Sequence, residues 1–376
     1  METRSWVEVD IKALLHNVKS FRKLAPKSEL MAIVKSNAYG HGLVGAAKIF
    51  LKGGANWFGV DSMEEAVALR LAKIKQPILI LGYVPISDLK YLFEYNLRAV
   101  IYNLESLIKF GRIAKKKNVI FPVHLKIETG TNRQGIAFED IADFLEEFVK
   151  NKNISLEGLS THFANAEDAS DLVYAKKQLN NLEKAVNIFK ARGFYPKFIH
   201  CAASAAALVF PQSHFNLIRP GISLYGLWPS EETKIFVERK NGLFLKPTLS
   251  WKVKIAQVKK LRKGSFVGYN LTEKVKKDSK VAVLPVGYWD GYDRGLSSVG
   301  EVLISGKRAK VLGRVCMNMI MVDVTNISKA GLEKTATLIG KDLNEIISAE
   351  ELAEKIDTIS YEVVSRINPL LKRIYK

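Results

Sequence analysis

The sequence predicts an α/β protein in which a (β/α)8 barrel of the TIM type is followed by a mainly β domain. Over the first 240 residues, eight apolar segments with strand character alternate with seven amphipathic segments of helical period. This stretch is close to the roughly 250 residues that are usual for such a barrel. After Gly242 the pattern changes to β-type alternation with short turns and almost no helix. We therefore expect a barrel domain over residues 1–240 and a mainly β domain over residues 241–376.

The individual elements follow from hydrophobic period and from turn residues. Helices are expected at 63–73 and 141–150, where apolar residues recur every three or four positions. Two further helices, at 348–356 and 359–367, are expected to close the second domain. The expected barrel strands are 31–35, 56–60, 77–82, 98–102, 120–127, 156–161, 197–201 and 216–218 with a continuation at 222–225.

Composition argues against several classes of protein. The 376 residues are 48% hydrophobic and contain no low-complexity segment, so disorder is not expected. No apolar run is long enough to cross a bilayer, and the N-terminal residues lack the apolar stretch of a signal peptide. Cys201 and Cys316 are too few for a disulfide framework, and there is no metal-ligand motif. We expect a cytoplasmic protein without a metal site or a membrane partner.

A net charge of +19 raises nucleic-acid binding as an alternative. The lysines and arginines occur in short scattered runs at helix ends and beside strands, without interleaved aromatic residues or a recognisable reading module. Net charge by itself informs about solubility and association rather than about a specific activity. We therefore interpret the basic residues as solvated surface and expect no nucleic-acid partner.

The loop after the first expected barrel strand allows two interpretations. Gly40, Gly42 and Gly45 form the G-x-G-x-x-G pattern of a dinucleotide site, and Asp61 follows where the ribose would need an acidic residue. However, five polar or small residues separate the strand from the first glycine, where a dinucleotide site needs a tight turn. Lys35, at the carboxyl end of the strand, could instead form a Schiff base with a carbonyl or with pyridoxal phosphate (PLP). We rank the dinucleotide site second, after the Schiff-base interpretation of Lys35.

Polar side chains recur at the expected carboxyl ends of the barrel strands, where barrel enzymes place their chemistry. Each of them alone has an ordinary structural explanation; His162, for example, could be a hydrogen-bonded core histidine. Together they predict a site for phosphate and carboxylate groups. Besides Lys35, they are Lys126, Arg133, His162, Ser204 and Arg219, with the backbone N–H groups of Gly221 and Ile222.

The sequence closely resembles the alanine racemase family over nearly its whole length. The motifs that carry the resemblance include VKSNAYGHG, KIETGTNRQG, THFA, RPGISLYG, VGYWDGYDR, GRVCMN and TISYEV. The family comprises PLP-dependent isomerases built from a barrel and a C-terminal β domain. The resemblance implies interconversion of L-alanine and D-alanine by a homodimer with shared active sites. In a bacterium, this reaction supplies D-alanine for cell-wall peptidoglycan.

The resemblance also implies roles for individual residues. Lys35 would hold PLP and serve as the base on one face of the substrate Cα, and Tyr269 of the partner subunit would serve on the other face. His162 would pair with that tyrosine, and Arg219 would face the pyridine nitrogen. Tyr39, Ser204, Gly221, Ile222 and Tyr361 would hold the phosphate. Arg133 and the Met317 backbone would bind the substrate carboxylate, and Lys126 matches a lysine that relatives often carry as a carbamate.

Other activities stay open at this stage. A broader racemase acting on serine is the nearest, because one extra hydroxyl is only weakly discriminated in a small pocket. A basic amino-acid decarboxylase shares the barrel but needs other motifs, and single-domain PLP carriers lack the second domain. An NAD-binding oxidoreductase would follow only from the glycine pattern. Glu128 departs from the family, in which aspartate is usual at this position, but it replaces no named catalytic group.

Overall fold

A computed structural model describes residues 3–376, which form two compact units. The barrel unit comprises Leu14–Ser36 and Ala46–Lys246. The β unit comprises the chain up to Ala13, the segment Asn37–Gly45, and Pro247–Lys376. The division into domains at residue 240 stays a prediction.

Strands and helices alternate in the first part of the chain, and strands predominate after residue 248. The strands are β1 (Ser5–Val9), β2 (Glu29–Ile33), β3 (Trp57–Val60), β4 (Ile78–Ile80), β5 (Arg98–Ile101), β6 (Phe121–Lys126), β7 (Ile154–Ser160), β8 (Phe198–His200), β9 (Leu217–Ile218), β10 (Leu249–Lys254), β11 (Gln257–Leu261), β12 (Phe266–Val267), β13 (Glu273–Lys274), β14 (Ser279–Leu284), β15 (Glu301–Ile304), β16 (Lys307–Lys310), β17 (Ile320–Asp323), β18 (Thr335–Asp342), β19 (Glu345–Ile347) and β20 (Lys372–Tyr375). The helices are α1 (Ile11–Leu24), α2 (Lys35–Tyr39), α3 (Leu43–Lys52), α4 (Met63–Leu71), α5 (Leu89–Glu94), α6 (Leu104–Lys116), α7 (Ile141–Lys150), α8 (Val173–Ala191), α9 (Ser204–Val209), α10 (Glu231–Asn241), α11 (Ala349–Glu354) and α12 (Ser360–Ser365).

The barrel unit contains the predicted eight parallel strands, in the order β8-β7-β6-β5-β4-β3-β2-β9. The two end strands approach each other just beyond their carboxyl ends, where the N–H of Arg219 donates to the carbonyl of Ala202 at 2.8 Å. The strands are short and most of their residues are buried, as expected when helices cover the outside of a parallel sheet. The predicted barrel is therefore confirmed.

The predicted continuation of the last strand at 222–225 is wrong. Ile222–Tyr225 is a turn of 3-10 helix, and Gly221 before it has φ −119° and ψ −96°. Pro220 cannot donate a hydrogen bond to a neighbouring strand, so the strand ends before the proline. The N–H of Leu224 then donates to the carbonyl of Gly221 at 2.9 Å and closes the turn. The chain thus bends at the carboxyl end of β9, and residues 221–223 take no part in the sheet.

The β unit is built around a sheet of order β16-β15-β18-β10-β1-β20, with β19 beside β18. Its strand β1, which the sequence analysis did not identify, pairs antiparallel with β10 and parallel with β20. A second sheet has the order β11-β14-β17. The two helices predicted near the end of the chain correspond to α11 and α12.

The glycines of the G-x-G-x-x-G pattern allow close packing within the β unit. A Cβ atom on Gly40 would lie 1.9 Å from the carbonyl oxygen of Val364, and one on Gly45 would lie 2.1 Å from Cζ of Tyr375. The Tyr375 hydroxyl donates to the carbonyls of His41 at 2.8 Å and Gly42 at 3.0 Å. The glycines therefore face the C-terminal segment of the chain, and the sheet is not doubly wound. The dinucleotide interpretation is wrong.

We expect Gly40→Ala to lower the free energy of unfolding by about 3 kcal/mol or more, because the new methyl group would meet a backbone carbonyl and the residue has φ +82°. Gly193→Ala is the matched control, since Gly193 has φ +79° and no atom within 4 Å of its Cβ position. It should cost only about 1 kcal/mol from the left-handed backbone. Urea unfolding of both variants measures the difference, and equal losses would contradict the packing explanation.

Candidate active site

Lys35 lies two residues after Ile33, the last residue of the buried strand β2, at the carboxyl end of the barrel. Its amino group lies 3.2 Å from Oδ1 of Asp61, which follows β3, and its side chain is 39% exposed. Asp61, the ribose-binding candidate of the dinucleotide interpretation, is therefore the ion-pair partner of the lysine instead. An ion pair that is open to solvent is weakly stabilising. The lysine amine is thus held near one partner and remains accessible to a ligand.

The backbone after Lys35 is strained. Ser36, Asn37, Ala38 and Tyr39 all have φ between +51° and +54°, so α2 is a left-handed turn. Left-handed helical backbone costs L-residues roughly 1–2 kcal/mol each and is usually confined to single residues. Strain of this kind is concentrated at functional sites, where the surrounding structure compensates for it. The turn is therefore an independent sign that the loop carries function.

Arg219 is a buried cation at the carboxyl end of β9. One terminal nitrogen donates to Nδ1 of His200 at 2.7 Å, and the other donates to the carbonyls of Thr161 at 2.8 Å and Cys201 at 3.3 Å. Burial lowers the pKa of Arg219 to about 10, so the guanidinium stays charged at neutral pH. Its three protein partners fix the plane of the guanidinium. Among residues 3–376, no carboxylate forms an ion pair with it.

Hydroxyl and N–H groups gather where the segments after β8 and β9 meet. Oγ of Ser204 accepts hydrogen bonds from the backbone N–H groups of Gly221 at 2.9 Å and Ser223 at 3.4 Å. Because Oγ accepts, its own proton is available for donation to an anion. Oγ of Ser223 is buried and, among the residues that the structure describes, has no hydrogen-bond partner. A buried hydroxyl without a partner is uncommon, and an oxyanion bound here would supply one.

Lys126 lies at the end of β6 and is almost fully buried. Burial, together with the charges of Arg133 and Arg219, lowers its pKa to about 8. Its Nζ atom donates to Oε1 of Gln134 at 3.4 Å.

The carboxylate of Glu128 accepts from three backbone N–H groups of the following loop, at 2.6, 2.7 and 3.3 Å. Glu128 therefore stabilises the loop that carries Arg133.

His162 lies in the same electrostatic environment as the cations. Burial, together with the charges of Arg219, Arg133, Lys126 and Lys35, lowers its pKa to about 3. The imidazole is therefore neutral over the physiological range and can accept a hydrogen bond. The structure thus brings together the predicted residues of the barrel strand ends in two groups, the cations around His162 and the N–H and hydroxyl groups around Ser204.

The remaining predicted residues lie in the β unit. The rings of Tyr39 and Tyr361 contact each other, with centroids 6.2 Å apart and planes tilted by 58°. Tyr269 begins a short 3-10 turn, and its side chain is 68% exposed. Asn270 and Leu271, the two residues that follow it, have φ of +60° and +52°. The carbonyl of Met317 accepts from the N–H of Trp289 at 3.0 Å, and its side chain is exposed.

Sequence reasoning missed Ser223 and Gln134. Ser223 stands two residues after Gly221 in RPGISLYG, and a hydroxyl beside a glycine turn at a strand end could have indicated it. Gln134 contacts Lys126 and donates to the hydroxyl of Tyr102 at 3.1 Å. No pattern in the sequence indicated that contact.

Two features that are typical of other kinds of protein are missing from the residues that the structure describes. Within residues 3–376, no three or more histidine, cysteine, aspartate or glutamate side chains are grouped so that they could hold a metal ion. None of the helices described above is long and apolar enough to span a membrane.

Comparisons with known proteins agree with the geometry. A family profile described as the alanine racemase N-terminal domain matches residues 9–229, and one described as the C-terminal domain matches residues 248–375. An alanine racemase of Leptospira interrogans is 40% identical over 375 residues, covering 98% of this chain and 95% of that protein. An alanine racemase of Carboxydothermus hydrogenoformans is 39% identical over 371 residues, covering 98% and 99%.

Solved structures lead to the same family. The alanine racemase of Bacillus anthracis with bound L-Ala-P is 35% identical, with a TM-score of 0.94 over 100% of this chain and 96% of that chain. The alanine racemase of Bartonella henselae, which has covalently bound pyridoxal phosphate, is 25% identical, with a TM-score of 0.87 over 100% of both chains. The two family profiles together cover most of the sequence. The chain therefore belongs to the alanine racemase family of PLP-dependent isomerases.

Proposed function

We propose that the protein is a PLP-dependent racemase that interconverts L-alanine and D-alanine. The observation that carries this proposal is the group of cationic side chains at the carboxyl ends of the barrel strands, which includes the accessible Lys35 and the buried Arg219 and Lys126. Such a group suits ligands that carry a phosphate and a carboxylate. Membership of the alanine racemase family supports the same reaction.

The barrel residues fit PLP in charge and in hydrogen-bonding capacity. Lys35 would hold the cofactor through Nζ, and PLP when bound supplies an electron-withdrawing ring that acidifies the Cα–H bond of the substrate. Arg219 would face the pyridine nitrogen, and because a guanidinium only donates, that nitrogen would stay unprotonated. The groups proposed to bind the phosphate are the hydroxyls of Ser204 and Ser223, the backbone N–H groups of Gly221 and Ile222, and the side chains of Tyr39 and Tyr361.

Two bases would act on opposite faces of the substrate Cα. Nζ of Lys35 would exchange the proton on one face, and the partner subunit's Tyr269 would exchange it on the other. A phenol is a weak base at neutral pH because its ordinary pKa is about 10. The cations that depress the pKa of His162 would also favour the phenolate form of a tyrosine placed beside that histidine. Neutral His162 would accept a hydrogen bond from the phenol and orient it.

The surface around Tyr269 supports a dimer. Large apolar side chains in two loops of the β unit are exposed, and exposed apolar surface can mark an interaction site. The N–H of Trp289 donates to the carbonyl of Met317, and this hydrogen bond joins the segment that carries Trp289 to the segment that carries Met317. We propose that a second copy of the chain covers these residues in a two-fold dimer. They are Phe266, Tyr269, Leu271, Tyr288, Trp289, Met317 and Met319.

Arg133 and the backbone N–H of Met317 would bind the substrate carboxylate, and Lys126 would orient Arg133 as a carbamate. A carbamate forms when a neutral amine attacks CO2, with a new N–C bond and loss of one proton to water. With a pKa of about 8, roughly a tenth of Lys126 is neutral at pH 7, against about 0.03% for an ordinary lysine.

The D-alanine product would supply peptidoglycan, and the cytoplasmic location expected from the cysteine content stays a prediction.

Borohydride reduction of the PLP-loaded protein should attach the cofactor irreversibly to Lys35. Peptide mapping by mass spectrometry should recover the label on the peptide that contains VKSNAYGHG. The Lys126→Met variant serves as the control and should carry the label on the same peptide, whereas Lys35→Arg should carry none. Label on a different lysine, or no label, would rule out the assignment of Lys35.

Tyr269→Phe should abolish racemisation in both directions, since one of the two bases cannot transfer its proton. Exchange of the α-proton with solvent deuterium should persist for D-alanine, the enantiomer that Lys35 serves in this family, and should collapse for L-alanine. Proton NMR of each enantiomer in deuterium oxide measures the two exchange rates. Equal loss for both enantiomers would contradict the assignment of the bases to opposite faces.

Mixing Lys35→Ala chains with Tyr269→Phe chains should restore up to about a quarter of wild-type activity at equal amounts. After random reassortment half of the dimers are mixed, and each mixed dimer has one intact site out of two. Each parent alone should be inactive. If subunit exchange is demonstrated by native mass spectrometry and no activity returns, the site is completed within one chain and the shared-site proposal fails.

Lys126 should give a carbamate signal in the 13C NMR spectrum of protein equilibrated with 13C-bicarbonate. The signal should rise as the pH rises through about 8, because the neutral amine becomes more abundant. Lys126→Met should remove the signal and raise KM for alanine roughly tenfold, the size expected for losing a charge-assisted partner of Arg133. If Lys126 is unmodified and activity depends on chloride, a bound anion rather than a carbamate orients Arg133.

A further inference from the structure

A chain of hydrogen bonds crosses the interior of the barrel from Arg219 to Glu157. Arg219 donates to Nδ1 of His200 at 2.7 Å, and Nε2 of His200 lies 2.9 Å from Nδ1 of His124. Nε2 of His124 lies 3.2 Å from Oε2 of Glu157. The same carboxylate oxygen accepts from Nε of Arg98 at 3.1 Å. These five side chains form one continuous polar path, which we call the barrel path.

The barrel path connects the carboxyl end of the barrel, where Arg219 lies, with its opposite end. His124, Glu157 and His200 lie on the consecutive strands β6, β7 and β8, and Arg98 is the first residue of β5. Both histidines are fully buried, whereas the side chains of Arg98 and Glu157 are 18% and 16% exposed. Barrel interiors are usually filled with branched apolar residues. A buried polar network destabilises the fold unless each of its groups has a hydrogen-bond partner. Its presence inside a barrel therefore calls for a functional explanation.

The surroundings of His124 fix its ring. A Cβ atom on Gly158, its register partner on β7, would lie 2.3 Å from Nδ1 of His124, so the strand leaves room for the imidazole only because residue 158 is glycine. The ring packs against the edge of Trp57, with centroids 5.6 Å apart, and stacks on Phe198 at 6.2 Å. The two ring nitrogens of His124 therefore keep their separate partners.

The partners of the barrel path dictate a single direction of donation. Burial lowers the pKa values of His124 and His200, so both rings are neutral and each has one donor and one acceptor nitrogen. Burial opposes ionisation of Glu157, but the hydrogen bond from His124 and the charge of Arg98 hold its pKa below the ordinary value. A carboxylate only accepts, so Nε2 of His124 carries the proton and Nδ1 accepts. Nε2 of His200 must then donate, which leaves its Nδ1 as an acceptor for Arg219.

We propose that Glu157 is a positioning residue for Arg219, because its carboxylate fixes the tautomers of both histidines and so keeps an acceptor directed at the guanidinium. The proposal rests on the proposed function in one respect, that Arg219 contacts PLP. Without an acceptor at position 157 the two histidines can adopt the opposite tautomers. The Nδ1–H group of His200 would then point at an N–H group of Arg219 that lies only 2.7 Å away. Arg219 would have to move from its place beside the cofactor.

Glu157→Gln and Glu157→Leu form the test pair, since the two side chains are similar in size and only glutamine retains an acceptor oxygen. Long-range 1H–15N NMR of histidine-labelled protein, recorded before PLP is added, reports the tautomers directly. The wild type and Glu157→Gln should have both His124 and His200 protonated on Nε2. Glu157→Leu should have mixed or reversed tautomers at both rings. Glu146→Gln, which alters a solvent-exposed ion pair, is the surface control and should match the wild type.

The consequences for the cofactor provide the second measurement. Glu157→Leu should weaken PLP binding and lower kcat by roughly tenfold or more, the size of a lost hydrogen bond to a charged group, with little change in KM for alanine. Glu157→Gln should restore both values to near wild type. Fluorescence titration gives the Kd of PLP. Because the tautomers are read without cofactor, they test the barrel path even if the protein is not a racemase.

Three results would overturn the proposal. One is wild-type protein with His124 or His200 protonated on Nδ1, a measurement that does not depend on whether Glu157→Leu folds. Another is a folded Glu157→Leu variant with wild-type tautomers and wild-type PLP affinity. The third is Glu157→Gln that loses as much PLP affinity as Glu157→Leu, since the charge of the carboxylate, rather than its acceptor oxygen, would then be the cause.

Discussion

The burial of one guanidinium, that of Arg219, is the constraint on which the arrangement of the barrel interior depends. A charge removed from water needs hydrogen bonds for its donors, and Arg219 obtains them from two carbonyls and from His200. The imidazole can serve only if it is neutral and presents its acceptor nitrogen, and burial together with the positive charge of Arg219 keeps it neutral. A polar path through a barrel that would otherwise be filled with apolar side chains follows from this single requirement.

The cations around Arg219 have consequences for every titratable group near them. Lys126 loses much of its basicity and His162 becomes a weak base, because burial and like charges both disfavour adding a proton. The nearby carboxylates are engaged elsewhere, Asp61 with Lys35 and Glu128 with the backbone of its own loop. The carboxyl end of the barrel is therefore electrostatically prepared for anionic groups, which is consistent with a ligand that combines a phosphate with an amino-acid carboxylate.

Backbone strain accompanies the residues to which we assign roles. Ser36 to Tyr39 form a left-handed turn directly after Lys35, and Asn270 and Leu271 are left-handed directly after Tyr269. Non-glycine residues hold such conformations only where neighbouring contacts enforce them. In the β unit those contacts include the hydrogen bonds from Arg373 and Tyr375 to the segment 40–42. The C-terminal strand β20 thus holds the loop after Lys35, a role that could not be predicted from its sequence.

The sequence by itself determined the eight-stranded barrel, its mainly β companion and the residue types at the strand ends, because hydrophobic period and the position after a strand are local properties. The strong motif around Lys35 and the RPGISLYG motif identified the family for the same reason. Only the tertiary structure decided which distant groups contact each other. Gly40 and Gly45 accommodate the C-terminal segment rather than a phosphate, and β1 pairs with β10 and β20. Glu157 is connected to Arg219 through two histidines. These contacts join residues far apart in the chain, and neither local period nor spacing encodes which distant groups meet.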